Sequence, residues 1–175
     1  MTKYHTFLPR CCAGVVDGLV FIPISFLDAY LLSPDRGPFV LIAWGAISYT
    51  TYWLYSVLLH ARYGQTIGKM VTHVKVLDVS EERLPTLRQA FIRDVGYIAL
   101  NTLSLVYLIY LVLAGQYVSG AESDVTSLPG RILIWASGGW FLLEIISMAT
   151  NEKRRAFHDY IAGTVVVRNT EPVAP

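Results

Sequence analysis

The run from Arg10 to Leu32, RCCAGVVDGLVFIPISFLDAYLL, is long and apolar enough to cross a bilayer, yet it carries Asp17 and Asp28 inside it. A span needs roughly 20 mainly apolar residues. A carboxylate deep in hydrocarbon costs on the order of 3 kcal/mol even on lenient insertion scales. A chain that keeps such residues must cover them with protein or water, so this helix is expected to turn a polar face inward.

Three further runs meet the same length criterion: Phe39 to His60, about Phe91 to Tyr117, and about Arg131 to Thr150. The chain is 54% hydrophobic and only 15% charged, where a soluble domain carries about a quarter charged residues. The expected fold is therefore an all-α membrane protein. It is a four-transmembrane-helix bundle over residues 1–168 with helices at about 10–32, 39–60, 91–117 and 131–150, followed by a short tail at 169–175. The opening MTKYHTFLPR lacks the short apolar core and small-residue cleavage site of a signal peptide, so the first helix is expected to be retained.

The basic residues orient this bundle. Lys and Arg total 14. All but Arg36 and Arg131 lie before the first run or at its start, in the loop between the second and third runs and the start of the third, or after the fourth. Four spans put those three regions on one side. The positive-inside rule then predicts cytoplasmic N- and C-termini in a multi-pass protein of the cell (inner) membrane. The net charge of +1 says nothing about nucleic acid, and no nucleic-acid partner is expected.

The polar middle, Ala61 to Ala90, is more than a linker. THVKVLD alternates as a strand does, VSEER reads as a turn, and Pro85 with Thr86 can start the next helix. GTVVVRN near the C-terminus is a second β-branched run. The two runs could pair as a short β ribbon on the cytoplasmic face, or stay unpaired, since an isolated pair is marginal without packing support.

Several residues could carry chemistry. Arg10 and Asp17 lie two turns apart, about 10 Å along the helix axis, and share a stripe with Gly14, Gly18, Phe21 and Asp28. Gly14 and Gly18 form a small-xxx-small contact that lets another backbone approach. Asp17 needs a cation, and Lys69 or the Lys153–Arg154–Arg155 cluster is better placed than Arg10. Asp159 is well placed to meet Arg10. The stripe is either a buried charge network that fixes helix packing or a proton or ion site. Glu144 is a second carboxylate inside a span. Were it to share a cavity with Asp17, the two would repel while both are ionised, as in a proton-coupled carrier; otherwise Glu144 bonds hydroxyls on the second helix. Asp28, nearer the outer surface, reads as a hydrated helix-end residue or an outlying member of the ion site.

GQTIGK, with Gly64, Gln65, Thr66, Gly68 and Lys69, could cradle an anion in a backbone nest. It lacks the spacing of a phosphate loop, and a tight re-entry at the membrane surface explains it better. Tyr49, Tyr52, Trp53 and Tyr55 read as interfacial anchors before a ligand platform. His60, His73 and His158 lack metal-ligand spacing. Cys11 and Cys12, being adjacent, read as small apolar side chains rather than a disulfide pair. No metal or cofactor is expected, and no nucleophile has the spacing of an enzyme site.

With these residues in view the sequence resembles the RDD family of small multi-pass membrane proteins, named for one Arg and two Asp. Arg10, Asp17 and Asp159 match that trio, GQTIGKMVTHVKVLD its G-x-T-x-G-K segment and strand-like run, and TLRQAFIRDVG its basic lead into the third helix. The resemblance covers nearly the whole chain. It implies a membrane protein for which transport of small ligands, and sodium/proton antiport in some members, have been suggested. Glu144 and Asp28 lie outside the matched motifs.

The expected function is transport, or help with transport, of a small solute or monovalent cation, with proton coupling through Asp17 and Glu144 and with Arg10 and Asp159 as a cytoplasmic gate or lock. Four helices are few to enclose a pathway, so a homo-oligomer in the lipid bilayer is expected. The alternative is a non-catalytic membrane scaffold whose charged inner face recruits partners or anionic head groups.

Overall fold

The computed structural model describes residues 3–118 and 127–169. Its elements run α1 (Phe7–Val20), α2 (Ile22–Leu31), α3 (Pro38–Tyr63), α4 (Ile67–Val71), β1 (Val74–Asp78), α5 (Leu87–Leu113), α6 (Leu128–Thr150), α7 (Phe157–Ala162) and β2 (Thr164–Arg168). The tail at 170–175 lies outside the described residues.

The chain is mostly helical, and the local chemistry explains where the helices depart from their expected limits. The first run is not one helix. Pro23 sits in the first turn of α2, where it has no N–H to offer the carbonyl four residues back and its ring crowds that carbonyl. The helix is interrupted at Phe21. The third helix begins four residues before the expected Phe91, because Thr86 and Gln89 close a capping box. The Thr86 hydroxyl accepts from Gln89 N at 3.2 Å, and Gln89 Oε1 accepts from Thr86 N at 3.0 Å. It ends before Tyr117 at Gly115, whose φ of 67° lets Gln116 N reach Leu111 O and Gly115 N reach Val112 O. Ser127 caps α6 through Gly130 N at 3.1 Å.

Among the described residues, α5 and α6 are each long and apolar enough to cross a membrane, and α1 with α2 reach that standard together as one broken span. α3 has the length, at 26 residues. Tyr49, Thr50, Thr51, Tyr52 and Trp53 in its middle lower its apolarity.

The chain divides into two compact units. One is built from the described parts of Met1–Val20, Tyr55–Val95 and Leu142–Pro175. Here β1 and β2 pair antiparallel, Val74 opposite Arg168 through Asp78 opposite Thr164. The two runs thus pair as a ribbon. Val74, Val76 and Val166 form its core, and α1 packs on α4. Gly64 ends α3 at φ 69°, and a Cβ there would lie 2.6 Å from the Val76 carbonyl oxygen. Only glycine fits both the left-handed turn and that approach.

The second unit comprises Phe21–Leu54 and Gly96–Phe141. Leu41, Leu108 and Val112 form its buried centre, with Leu32, Ile42, Tyr49 and Leu105 packed around them. Polar atoms within it are answered locally. Trp44 Nε1 donates to Asp28 at 2.8 Å, and the Tyr117 hydroxyl donates to the Leu32 carbonyl at 2.7 Å. Tyr97 and Trp140 meet edge to face at 6.2 Å.

Candidate functional site: a buried ion network and a carboxylate-filled loop

The first unit holds every candidate in the Arg/Asp signature. Asp159 lies in the first turn of α7 and is fully buried. Its carboxylate accepts from Arg10 Nη2 at 2.8 Å, Arg93 Nε at 3.0 Å, Ala156 N at 2.9 Å and the Thr164 hydroxyl at 3.2 Å. The Ala156 bond is the reach-back half of a capping box, an acidic side chain at the third position satisfying the N-terminal amide. Burial alone would push this carboxyl up. The Arg10 and Arg93 guanidiniums overcome that and hold it well below the usual carboxylate range. The two guanidiniums are themselves nearly sealed from solvent. The expected pairing of Arg10 with Asp159 is present, and Arg93 joins it as a second cation.

Two histidines extend the network. Arg93 Nη1 lies 2.9 Å from His60 Nε2, and Arg93 Nη2 lies 2.9 Å from His158 Nε2. Arg10 Nη2 is 3.3 Å from that same His158 nitrogen. An arginine only donates. Each Nε2 must therefore accept, which assigns the proton of both neutral rings to Nδ1. His60 Nδ1 then faces Ser56 Oγ at 3.2 Å, and His158 Nδ1 lies in close contact with Glu144 Oε2. Glu144 is 4% exposed, and neither of its carboxyl oxygens has a well-formed hydrogen bond among the described residues. It bonds no hydroxyl of α3. Asp94 Oδ2 is likewise buried without a hydrogen-bond partner among the described residues.

Asp17 stands apart from the ion pairs. It is 3% exposed, and its oxygens accept from the Tyr55 hydroxyl, the Thr66 hydroxyl and Gly68 N, each at 2.7 Å. Neither Lys69 nor the Lys153–Arg155 cluster forms an ion pair with it. Thr66 is also the N-cap of α4, and the Tyr55 hydroxyl accepts from Ile67 N at 2.9 Å. GQTIGK does hold an anion, and the anion is the chain's own carboxylate. A Cβ on Gly68 would strike the Ala13 carbonyl and lie 2.9 Å from the Asp17 carboxyl carbon. Gly68 thus gives the close backbone approach that Gly14 and Gly18 were expected to give. Those two have nothing within 4 Å of their Cβ positions. The covered face of α1 carries Arg10, Ala13 and Asp17, continued by Thr6 just before the helix.

The other loop residues have structural partners or surroundings. Gln65 Nε2 donates to the Val74 carbonyl at 2.9 Å. Lys69 keeps some surface exposure, but burial, with Arg93 adding to it, lowers its pKa to about 7. Asp78, the last residue of β1, accepts from Gln89 Nε2 at 2.6 Å, which with Ser80 holds its carboxyl far below the ordinary range. His73 has φ 54° and its carbonyl accepts from Asn169 N. Cys11 and Cys12 are free and exposed.

Sequence reasoning missed Arg93, His60 and His158 as members of the network. Arg93 was legible as one basic residue in a basic segment. The useful signal was FHD, which sets His158 directly beside the signature Asp159. Among the described residues no group of three or more His, Cys, Asp or Glu is arranged to hold a metal ion. The family model described as "RDD family" matches residues 4–163. No curated protein and no solved structure matches the chain.

Proposed function

The chain belongs to the RDD family of membrane proteins, and we propose that it transports, or helps transport, a small solute or monovalent cation in exchange for protons bound at Glu144 and His158. The observation that carries this reading is the state of Glu144. A buried carboxylate with unfilled hydrogen-bonding capacity is costly, and this one touches a histidine ring rather than a permanent cation. A proton can sit on the carboxyl group or on the ring. A monovalent cation beside Glu144 would compete with that proton by charge repulsion, which is the logic of an exchanger.

Asp17 has a different role in this proposal. Three short hydrogen bonds tie it to α3 and to the start of α4. Exchanging its proton state would release that loop. We therefore assign Asp17, with Arg10, Arg93 and Asp159, to the lock that holds the cytoplasmic elements together, and leave Asp28 as a local partner of Trp44. The proposal takes four spans, α1 with α2 as one, then α3, α5 and α6. It keeps both termini cytoplasmic on the charge bias. A homo-oligomer using the uncovered Gly14–Gly18 face of α1 would complete a pathway. No enzymatic activity is assigned.

A second reading is favoured by the saturation of Asp159 and Asp17: a non-catalytic scaffold in which the whole network is structural. Reconstitution in liposomes with an internal pH dye separates the two. Pulses of Na⁺, K⁺ or Li⁺ should move protons with the unsubstituted chain and fail to do so with Glu144→Gln.

A further inference from the structure

A cavity of about 540 Å³ opens beside the start of α1. His5, Phe7, Leu8 and Cys12 line it on the N-terminal side, and Arg154 and Arg168 face them; no acidic residue lines it. Backbone carbonyls hold both guanidinium groups in place. Arg168 Nε donates to the His5 carbonyl at 3.1 Å, and Arg154 Nη1 donates to the Ala149 carbonyl at 3.0 Å. Those contacts leave Nη1 and Nη2 of Arg168, and Nη2 of Arg154, without a protein acceptor among the described residues. The site therefore has fixed cations with spare donors above an apolar floor.

The floor continues along the helix. Leu8, Cys12, Val15 and Leu19 follow the spacing of one α-helical face, and Leu8, Val15 and Leu19 are 69%, 67% and 58% exposed. From Leu8 to Leu19 the face extends roughly 16 Å, about the depth of one leaflet of a hydrocarbon core of about 30 Å.

We propose that this cavity binds the phosphate head group of an anionic phospholipid, with one acyl chain lying along the Leu8–Val15–Leu19 face of α1. Arginine forks match phosphate oxygens in paired hydrogen bonds, and basic pockets at the cytoplasmic membrane surface take such head groups. A choline head group would bring its own cation into a lining that has no carboxylate to meet it. The site is independent of whether the chain carries a solute.

Cys12 makes the test site-specific. In a Cys11→Ser background the full chain, purified in neutral detergent, is titrated with phosphatidylglycerol, phosphatidylcholine or soluble glycerol phosphate while a water-soluble maleimide labels Cys12. Phosphatidylglycerol should slow labelling at concentrations about tenfold below those needed with phosphatidylcholine, and Arg168→Gln should erase that preference. Arg88→Gln, an exposed cation away from the cavity, should leave it intact. Equal protection by the two lipids would overturn the proposal, as would protection by glycerol phosphate as strong as by the lipid, or an unchanged preference in folded Arg168→Gln. If Arg168→Gln misfolds, the comparison of head groups on the unsubstituted cavity still decides.

Discussion

Arg93 Nε and Asp159 Oδ1 lie 3.0 Å apart, both buried, although the two residues are 66 positions apart in sequence. Arg93 stands near the start of α5, and Asp159 stands in α7, beyond the last long helix. The same guanidinium also reaches His60 near the end of α3 and His158. One side chain of α5 thus binds both α3 and α7, and Arg10 adds α1.

Removing the shared anion should be the most damaging single change to that arrangement. Asp159→Asn leaves two buried guanidiniums facing a neutral amide, a loss of about 3–5 kcal/mol for a broken buried pair. Arg93→Lys should cost less but still lower stability, because an ammonium cannot fork to Asp159 and both histidines at once. Thermal unfolding of purified protein in detergent, followed by tryptophan fluorescence, checks both. The expected order is unsubstituted chain, then Arg93→Lys, then Asp159→Asn.

Lys69 makes stability depend on pH on the alkaline side. Its folded pKa of about 7 lies below the ordinary 10.5, chiefly through burial. Between those values the unfolded chain binds the extra proton, so stability should rise as pH increases through that window. Below about pH 7 both states are protonated and the penalty is present in full. Lys69→Met should flatten the rise and stabilise the protein at neutral pH. Melting temperatures from pH 6 to pH 10 test this, and a falling curve in the unsubstituted chain would speak against it.

The contact of α1 with α4 depends on the absence of a side chain at Gly68. Gly68→Ala must displace either the Ala13 carbonyl or Asp17, and overpacking of this kind costs about 1–3 kcal/mol. Tyr55→Phe removes both a donor to Asp17 and the acceptor for Ile67 N, for a loss of about 1–3 kcal/mol where the amide stays unsatisfied. Hydrogen exchange should locate both effects in the amides from Thr66 to His73, with little change in α6.

Much of this arrangement was legible in the sequence because its signals are local. The two strands of the ribbon followed from alternation in THVKVLD and the β-branched GTVVVR run. The Arg10–Asp159 pair followed from opposite charge and from the expected placement of both residues on one face of the membrane. The partner of Asp17 was not legible, since a search for a cation overlooks the amide and hydroxyl donors that a short loop supplies. Gly14 and Gly18 drew attention as a spaced pair, whereas the close approach uses Gly68, whose role depends on the path of the chain after α3. The break at Phe21 was available from Pro23 and was hidden by the uniform apolarity around it.

Glu144 as the proposed exchanging group and Asp17 as the proposed lock are two carboxylates with separable roles. Cation-driven proton movement in liposomes, measured for Glu144→Gln and Asp17→Asn with each matched to the unsubstituted chain for folded protein, separates them. Glu144→Gln should melt as the unsubstituted chain does and move no protons, while Asp17→Asn should melt lower and retain coupling in its folded fraction. Coupling that survives Glu144→Gln, or an unsubstituted chain that moves no protons under any of the three cations, would contradict these roles.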